Sequence, residues 1–169
     1  MILIIEVAAV IILFICLLYV IKYIMLISVK HNADKAFGIL CTALPKFYEA
    51  VIILFSTQDT LSSDDNLLAE NTKNLIYKAL NFSAAKDSNE KIIAFANSIS
   101  ENAKSFAEAA AQKGYNSVNM EQYSKALENF NNIKNNYNRS AQKLRHYADV
   151  FPTSFFARLK KIKTMDYLN

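Results

Sequence analysis

The sequence predicts an all-α membrane protein, in which an N-terminal transmembrane helix continues into an up-down, antiparallel four-helix bundle. Three observations predict it: a long apolar run at the start, only two glycines and two prolines in 169 residues, and apolar side chains spaced by threes and fours. The sequence shows neither strand-like alternation nor an Asn-Gly hairpin signal. We therefore expect a transmembrane anchor over residues 1–23 and a helical-bundle domain over residues 24–169.

The anchor is predicted by residues 2–21, in which Glu6 is the only charged side chain. About 20 apolar residues, each rising ~1.5 Å, are needed to cross the ~30 Å hydrocarbon core of a bilayer, and this segment supplies them. Tyr19, Lys22 and Tyr23 then provide the amphipathic side chains that are typical of a membrane boundary. The protein is therefore expected to contact the lipid bilayer through this helix.

Two kinds of cleaved leader are alternatives to an uncleaved anchor. A secretory signal peptide needs a basic start and a small-residue cleavage site, but residues 1–6 contain no Lys or Arg and residues 22–25 offer no small pair. A lipoprotein signal needs a small residue just before the modified cysteine, whereas Ile15 precedes Cys16. The residues favour the uncleaved anchor.

The charges that flank the apolar run predict its orientation. Lys22, Lys30 and Lys35 follow the run, while no Lys or Arg precedes it. Positive charges are enriched on the cytoplasmic side of membrane proteins. We therefore expect a single-pass protein of the bacterial cell membrane with its C-terminal domain in the cytoplasm.

The first bundle helix is expected to grow out of the anchor, with apolar residues on one of its faces. These residues are Leu26, Val29, Ala33, Ala36, Leu40, Leu44, Phe47, Val51 and Leu54. Pro45 is expected to bend the helix, because proline lacks a backbone donor and crowds the preceding turn. We interpret Cys16 and Cys41 as small apolar side chains rather than as a disulfide pair.

Loop and cap signals separate two further helices from the first. Polar residues 56–65 predict a loop, Asp87 and Glu90 a capping box, and Gly114 a C-cap. The second helix has as its apolar residues Leu68, Leu75, Ile76, Ala79, Leu80 and Phe82. The third helix has Ile92, Phe95, Ala96, Ile99, Ala103, Phe106 and Ala110.

The fourth helix has the most regular spacing, and a capping box at Asn119 predicts its start. Its apolar and aromatic residues recur close to every 3.5 positions, which favours coiled-coil-like packing at roughly 20°. They are Tyr123, Leu127, Phe130, Tyr137, Ala141, Leu144, Ala148 and Phe151. Pro152 ends the helix, because proline disfavours helical geometry in the preceding residue. In an up-down bundle this helix returns toward the membrane, so we expect residues 151–163 near the bilayer.

Two pairs of residues carry a resemblance to a known family: Tyr137-Asn138 on the last long helix, and Phe151-Pro152 at its end, followed by Thr153. At this spacing the chain resembles the LemA family, bacterial membrane proteins with an N-terminal anchor and a helical-bundle domain. Other positions depart from the family pattern, which usually has tryptophan in place of Phe37, aspartate in place of Cys41, Pro-Asn in place of Ile52-Ile53 and a second Tyr-Asn in place of Leu144-Arg145. The resemblance implies the fold but little about activity, because the family has no agreed biochemical function and no assigned catalytic residues.

Positive charge is concentrated toward the C-terminal part of the chain. From Lys134 onward there are eight basic residues against two acidic ones, so this stretch carries +6 within a net charge of +4. We expect a lipid-surface site here that combines aromatic wedges with basic residues. The candidates are Phe155, Phe156, Arg158, Lys160, Lys161 and Lys163. The alternative is a solvated helix end whose charges complement its own dipole.

We expect no enzyme, no cofactor and no metal site. His31 and His146 lack the Glu-x-x-His pattern of metal-binding bundles, and two isolated glycines cannot form a phosphate-binding loop. Nucleic-acid binding is not expected either, because the basic residues are few and no reading element accompanies them. Two hypotheses remain: an interaction or scaffold module that binds an unidentified protein partner at the cytoplasmic membrane, and a membrane-organising or remodelling protein that uses the basic tail on anionic lipid.

Overall fold

The structure, a computed structural model, describes residues 2–56, 63–83, 89–112 and 117–168. Helix accounts for 92% of these residues, and no strand occurs among them. The described residues form five helices: α1 (Ile2–Ser56), α2 (Ser63–Ser83), α3 (Asn89–Gln112), α4 (Ser117–Asp149) and α5 (Thr153–Leu159). The predicted all-α class is confirmed.

The chain divides into two compact units. Unit 1 comprises Met1–Lys35 and Arg139–Met165, and unit 2 comprises Ala36–Asn138 and Asp166–Asn169. Helices α1 and α4 therefore each contribute residues to both units.

Unit 1 contains the apolar start of α1. Its large side chains are exposed, with Val10 at 68% and Leu13 at 71% of their area. By length and composition, α1 is the one described helix that is able to cross a membrane. The core helix of a soluble protein and a signal sequence pass the same test; a core helix is mostly buried, whereas the apolar start of α1 is not.

Unit 2 is held together by side chains from α1, α2, α3 and α4. The ring of Phe47 on α1 stacks on Phe130 of α4 with centroids 4.2 Å apart, and Phe55 meets Phe106 of α3 edge to face at 4.5 Å. Such aromatic pairs contribute about 0.5–1.5 kcal/mol beyond the area they bury. The Asn102 amide of α3 donates a hydrogen bond to the buried Thr72 hydroxyl of α2, at 3.1 Å. These contacts fix which residues of the four helices face one another.

The apolar stripe predicted for α1 is its buried face. Every residue of that stripe is buried except Val29, which is half-buried. On α4 the aromatic residues Tyr123, Phe130 and Tyr137 are at most 3% exposed, so the prediction that they belong to the core is confirmed. The buried series differs on α2 and α3, where it consists of Ala69, Thr72, Ile76 and Ala79, and of Ile93, Ala96, Ile99, Ala103, Phe106 and Ala110.

Some helix ends differ from the predictions. Helix α1 continues past Pro45 to Ser56. Helix α4 begins at Ser117, so Asn119 lies inside it and its amide donates to the Ile53 carbonyl at 3.4 Å. Most of the predicted loop at 56–65, the start of the capping box at Asp87 and the C-cap at Gly114 lie outside the described residues. The four-helix bundle and its up-down order stay predictions.

Candidate membrane-surface site

A tight turn between α4 and α5 begins the candidate site. Helix α4 ends at Asp149, and Pro152 stands at the N-cap of α5. The Val150 carbonyl accepts two hydrogen bonds, from the Ser154 backbone N–H at 2.9 Å and from the Thr153 hydroxyl at 2.6 Å. The predicted end of the fourth helix at Pro152 is therefore confirmed, and a short helix follows it directly.

A Schellman motif ends α5. The Ile162 N–H donates to the Ala157 carbonyl at 2.9 Å, and the Lys161 N–H donates to the Arg158 carbonyl at 3.1 Å. Lys161 adopts the left-handed conformation that the motif requires, with φ of 50°. A residue with a Cβ pays about 1–2 kcal/mol for this conformation. The hydrogen bonds at both ends thus define α5 as a distinct element.

Aromatic contacts attach this turn and α5 to α1. The Phe156 ring lies 5.4 Å from that of Tyr23 and 6.0 Å from that of Tyr19, both edge to face. Phe151 in the preceding turn contacts Tyr19 in the same way, at 6.3 Å. Tyr19 and Tyr23 flank Lys22, where the apolar run of α1 ends. The α5 segment therefore lies at the level that a membrane boundary would occupy.

The outer face of this region combines apolar and basic side chains. Phe151 is 72%, Phe155 58% and Leu159 67% exposed, and Val150 is also exposed. The basic residues Arg158, Lys160, Lys161 and Lys163 are exposed as well. Large exposed apolar side chains next to cations are typical of helices that lie in a lipid headgroup region. We call this set, from Val150 to Lys163, the α5 surface.

The structure assigns different positions to the predicted lipid-surface residues. Phe155 and the four basic residues are on the α5 surface, whereas Phe156 is half-buried and attaches α5 to α1. Phe151 had been predicted as the last member of the apolar series of the fourth helix and as part of the family motif. Its place in that helix is wrong, because α4 ends at Asp149 and Phe151, in the turn that follows, is among the most exposed side chains of the α5 surface.

The other predicted motif pair, Tyr137-Asn138, lies in unit 2 and binds a non-helical segment. The Asn138 side chain donates to the Leu168 carbonyl at 2.7 Å and accepts from the Leu168 N–H at 2.9 Å. The Tyr137 hydroxyl donates to the Asp166 carbonyl at 2.5 Å. Leu168 is itself buried. We call these three hydrogen bonds the tail clamp. Each joins a side chain of α4 to a backbone group near the C-terminus. No spacing pattern in the sequence predicted them.

Burial raises the pKa of three tyrosines in unit 2. The pKa of Tyr137 is raised first by burial and then by the nearby negative charge of Asp166, and that of Tyr48 is raised mainly by burial. Burial and the Glu108 carboxylate raise the pKa of Tyr123 to about 12. In the part of the chain that the structure describes, the buried Tyr123 hydroxyl has no hydrogen-bond partner. Burial also raises the pKa of the Cys41 thiol, which disfavours its reactive thiolate form.

A second surface feature is a groove of about 510 Å³ between α3 and α4 in unit 2. Its lining is mainly polar, and Glu101, Lys104 and Lys134 supply charges of both signs. Leu127 contributes an apolar wall. Such a groove has room for side chains of another molecule.

Neither metal chemistry nor known relatives add to this description. Among the residues described, no group of three or more His, Cys, Asp or Glu side chains is able to hold a metal ion. No protein-family model, curated protein or solved structure matches the chain. The α5 surface and the tail clamp are therefore the features that bear on the function of the chain.

Proposed function

We propose that the chain is a non-catalytic, single-pass membrane protein of the LemA type, which holds its helical domain at the cytoplasmic surface of a bacterial membrane and lays the α5 surface on anionic lipid. One observation carries the proposal. The α5 segment packs on Tyr19 and Tyr23, where the exposed apolar run of α1 ends, and presents Phe151 and Phe155 outward. In this arrangement the anchor and the α5 surface contact the same bilayer.

The energetics favour lipid over water for this surface. Each fully transferred aromatic side chain contributes on the order of 1.5–3 kcal/mol. Each Lys or Arg near an anionic surface adds on the order of 1 kcal/mol. The α5 dipole alone explains basic residues in its last turn, but it does not explain exposed Phe155 and Leu159 on the same element. A membrane-organising role is the activity that this combination supports best.

The arrangement of the helical domain belongs to the same proposal. We infer an up-down, antiparallel four-helix bundle, because α1 contributes aromatic contacts to both α3 and α4 while α2 and α3 share the Thr72–Asn102 hydrogen bond. The LemA assignment in this proposal rests on the sequence resemblance alone, and the Tyr137-Asn138 pair of that resemblance forms the tail clamp.

The lipid contact is testable with a single fluorophore, because the chain contains no tryptophan. Phe155→Trp in the full-length protein, reconstituted in vesicles with bromine-labelled acyl chains, is expected to show strong quenching and blue-shifted emission. Tyr77→Trp is the matched control, because Tyr77 on α2 is similarly exposed, at 60%, and lies in unit 2. Its emission is expected to stay unquenched.

Charge is tested in the Phe155→Trp background. Arg158→Gln, Lys160→Gln and Lys163→Gln remove three charges, and Lys161→Asn removes the fourth while suiting the left-handed conformation. Quenching is expected to fall in this variant, and to fall likewise for the unaltered tail when anionic lipid is replaced by zwitterionic lipid. Equal quenching of Phe155→Trp and Tyr77→Trp, or none of either, would refute the lipid contact.

A second function, the binding of a protein partner, is favoured by the α3–α4 groove. Its charges of both signs suit a polar peptide surface better than a membrane. Cross-linking from a photoreactive residue in place of Leu127, compared with one in place of Tyr77, would identify such a partner. Cross-links to a defined protein only from the groove support the interaction module, and their absence leaves lipid as the ligand of this protein.

A further inference from the structure

A cavity of about 110 Å³ lies in unit 1 beside the start of α5. It is lined by Lys22 of α1, by His146 and Tyr147 in the last turn of α4, and by Phe151 and Thr153 in the turn and at the start of α5. Its volume is several times what one water molecule needs. The cavity therefore has room for a polar group larger than a single water.

Three lining side chains, those of Lys22, His146 and Tyr147, offer donors at this cavity, and the Tyr147 hydroxyl also accepts. Lys22 carries a permanent ammonium, and His146 offers one ring N–H when neutral and two when protonated. None of the lining residues is Asp or Glu, and Asp149 lies three residues beyond His146 without lining the cavity. The Thr153 hydroxyl already donates to the Val150 carbonyl. The chemistry of the site thus suits an anion with several acceptor oxygens.

The position of the cavity at the end of the apolar run of α1 indicates the source of the anion. Lys22 is the first charged residue after the apolar run, and Phe151 both lines the cavity and contacts Tyr19 within that run. The exposed side chains of Leu18 and Ile15 lie one and two turns before Lys22 on α1, respectively. A ligand that places a phosphate in the polar cavity and hydrocarbon chains along the apolar side chains of α1 would contact both regions.

We propose that this cavity binds the phosphate headgroup of an individual anionic phospholipid, with the Lys22 ammonium and the His146 ring N–H as its donors. Basic pockets at the cytoplasmic end of membrane helices are a known way to hold such headgroups. The inference rests on the proposed function, since it requires α1 in the membrane, and it adds a specific site to a general surface contact.

Native mass spectrometry of the full-length protein in detergent tests the site. Titration with phosphatidylglycerol is expected to give one saturable lipid adduct, whereas phosphatidylcholine gives none at equal concentration. Lys22→Gln with His146→Gln is expected to weaken the adduct about tenfold, because the variant loses the Lys22 charge and the His146 ring donor. Lys35→Gln with His31→Gln, two exposed residues of the same types on α1 within unit 1, is the matched control and keeps the adduct.

Control experiments distinguish the possible reasons for loss of the lipid adduct. Lys22→Arg is expected to retain the adduct, which distinguishes a lost charge from a misfolded variant. Inorganic phosphate is expected not to displace the lipid; displacement at similar concentration would assign the site to free phosphate and overturn the proposal. Equal affinity in the double variant and the wild type would also overturn it. A high-salt and urea wash of the membrane fraction tests the anchor separately. A variant that stays in the membrane fraction but loses the lipid adduct has lost only the binding site in this cavity.

Discussion

At the scale of residues, two tyrosines of α4 place their hydroxyl groups in opposite situations. The Tyr137 hydroxyl donates to the Asp166 carbonyl in the tail clamp, whereas the buried Tyr123 hydroxyl has no partner within the described chain. A buried polar group without a hydrogen bond costs about 1–3 kcal/mol, while a satisfied one contributes roughly 1 kcal/mol. The same chemical deletion should therefore have opposite effects at the two positions.

Tyr137→Phe is expected to lower the free energy of unfolding by about 1 kcal/mol, because the Asp166 carbonyl loses its donor while the ring keeps its contact with Phe37. Tyr123→Phe is expected to leave it unchanged or raise it by up to about 1 kcal/mol. Denaturant unfolding followed by circular dichroism measures both. A destabilised Tyr123→Phe would show that this hydroxyl has a partner after all.

The same two variants are expected to behave alike at high pH. The folded-state pKa of Tyr123 is about 12, above the ordinary value of 10, so above pH 10 the unfolded chain releases protons that the folded chain keeps. Stability from this difference is complete below pH 10 and is lost as the pH rises toward 12. Tyr123→Phe is expected to flatten that loss, and Tyr137→Phe likewise, because the pKa of Tyr137 is also raised.

Sequence patterns predicted the burial of individual residues better than their hydrogen bonds. Helical periodicity predicts the burial of Leu26, Leu40 and Val51, because each lies on one face of a single helix. The tail clamp joins Asn138 to Leu168, two positions that no local period connects. Only the tertiary structure brings them together, so the sequence contained no local signal for this pair.

At the scale of elements, α1 is unusual because it is helical on both sides of an internal proline. Pro45 has no N–H to donate to the Cys41 carbonyl four residues earlier, and its side chain is exposed. We predicted that Pro45 bends the helix. The helix continues through Pro45, and the residues Leu44 and Phe47 on either side of it are both buried in the core.

Pro45→Ala is expected to raise the free energy of unfolding by about 1–3 kcal/mol, because it restores one backbone hydrogen bond and relieves the clash with the preceding turn. Lys46→Ala, at the neighbouring exposed position, controls for a general gain in helix propensity and is expected to change stability by less than about 0.5 kcal/mol. Thermal unfolding in the same detergent compares them. A less stable Pro45→Ala would mean that α2 and α3 pack against a shape that the proline creates.

Helix α5 shows why short helices are hard to predict from the sequence. Its seven residues, Thr153–Leu159, are too few for a period to be recognised, and a helix of this length is not stable on its own. Phe156 stabilises it by contact with α1, and the Schellman motif at Lys161 ends it. The sequence predicted that a segment with aromatic and basic side chains follows Pro152. It did not predict that this segment begins with a separate short helix.

At the scale of the whole molecule, the orientation that we propose in the membrane is based on the charges that flank the apolar run of α1. Lys22, Lys30 and Lys35 all lie on its C-terminal side, where they favour the cytoplasm. A C-terminal tag is expected to resist protease in intact cells and in spheroplasts, and to be digested after lysis. Digestion in spheroplasts would reverse the orientation and would place the α5 surface on the outer leaflet.

The all-α class was predictable for the whole chain because two glycines and two prolines leave few places for the helices to break. The partition into two compact units was not, because it divides α1 and α4 at residues where the apolar pattern continues without a change. Leu26 and Ala36 belong to the same stripe but to different units. Periodicity reports which side of a helix is buried and contains no information about the group of residues that buries it.

The tail clamp also has a consequence for amide hydrogen exchange. The Leu168 N–H belongs to a non-helical segment, where amides ordinarily exchange quickly, yet it is donated to the Asn138 side chain and lies in a buried residue. Its exchange requires opening of the clamp and is independent of fraying at any helix end. The protection factor of this one amide therefore reports the free energy of clamp opening directly, and lipid or partner binding that loosens the segment after α5 would be visible as faster deuterium uptake at Leu168.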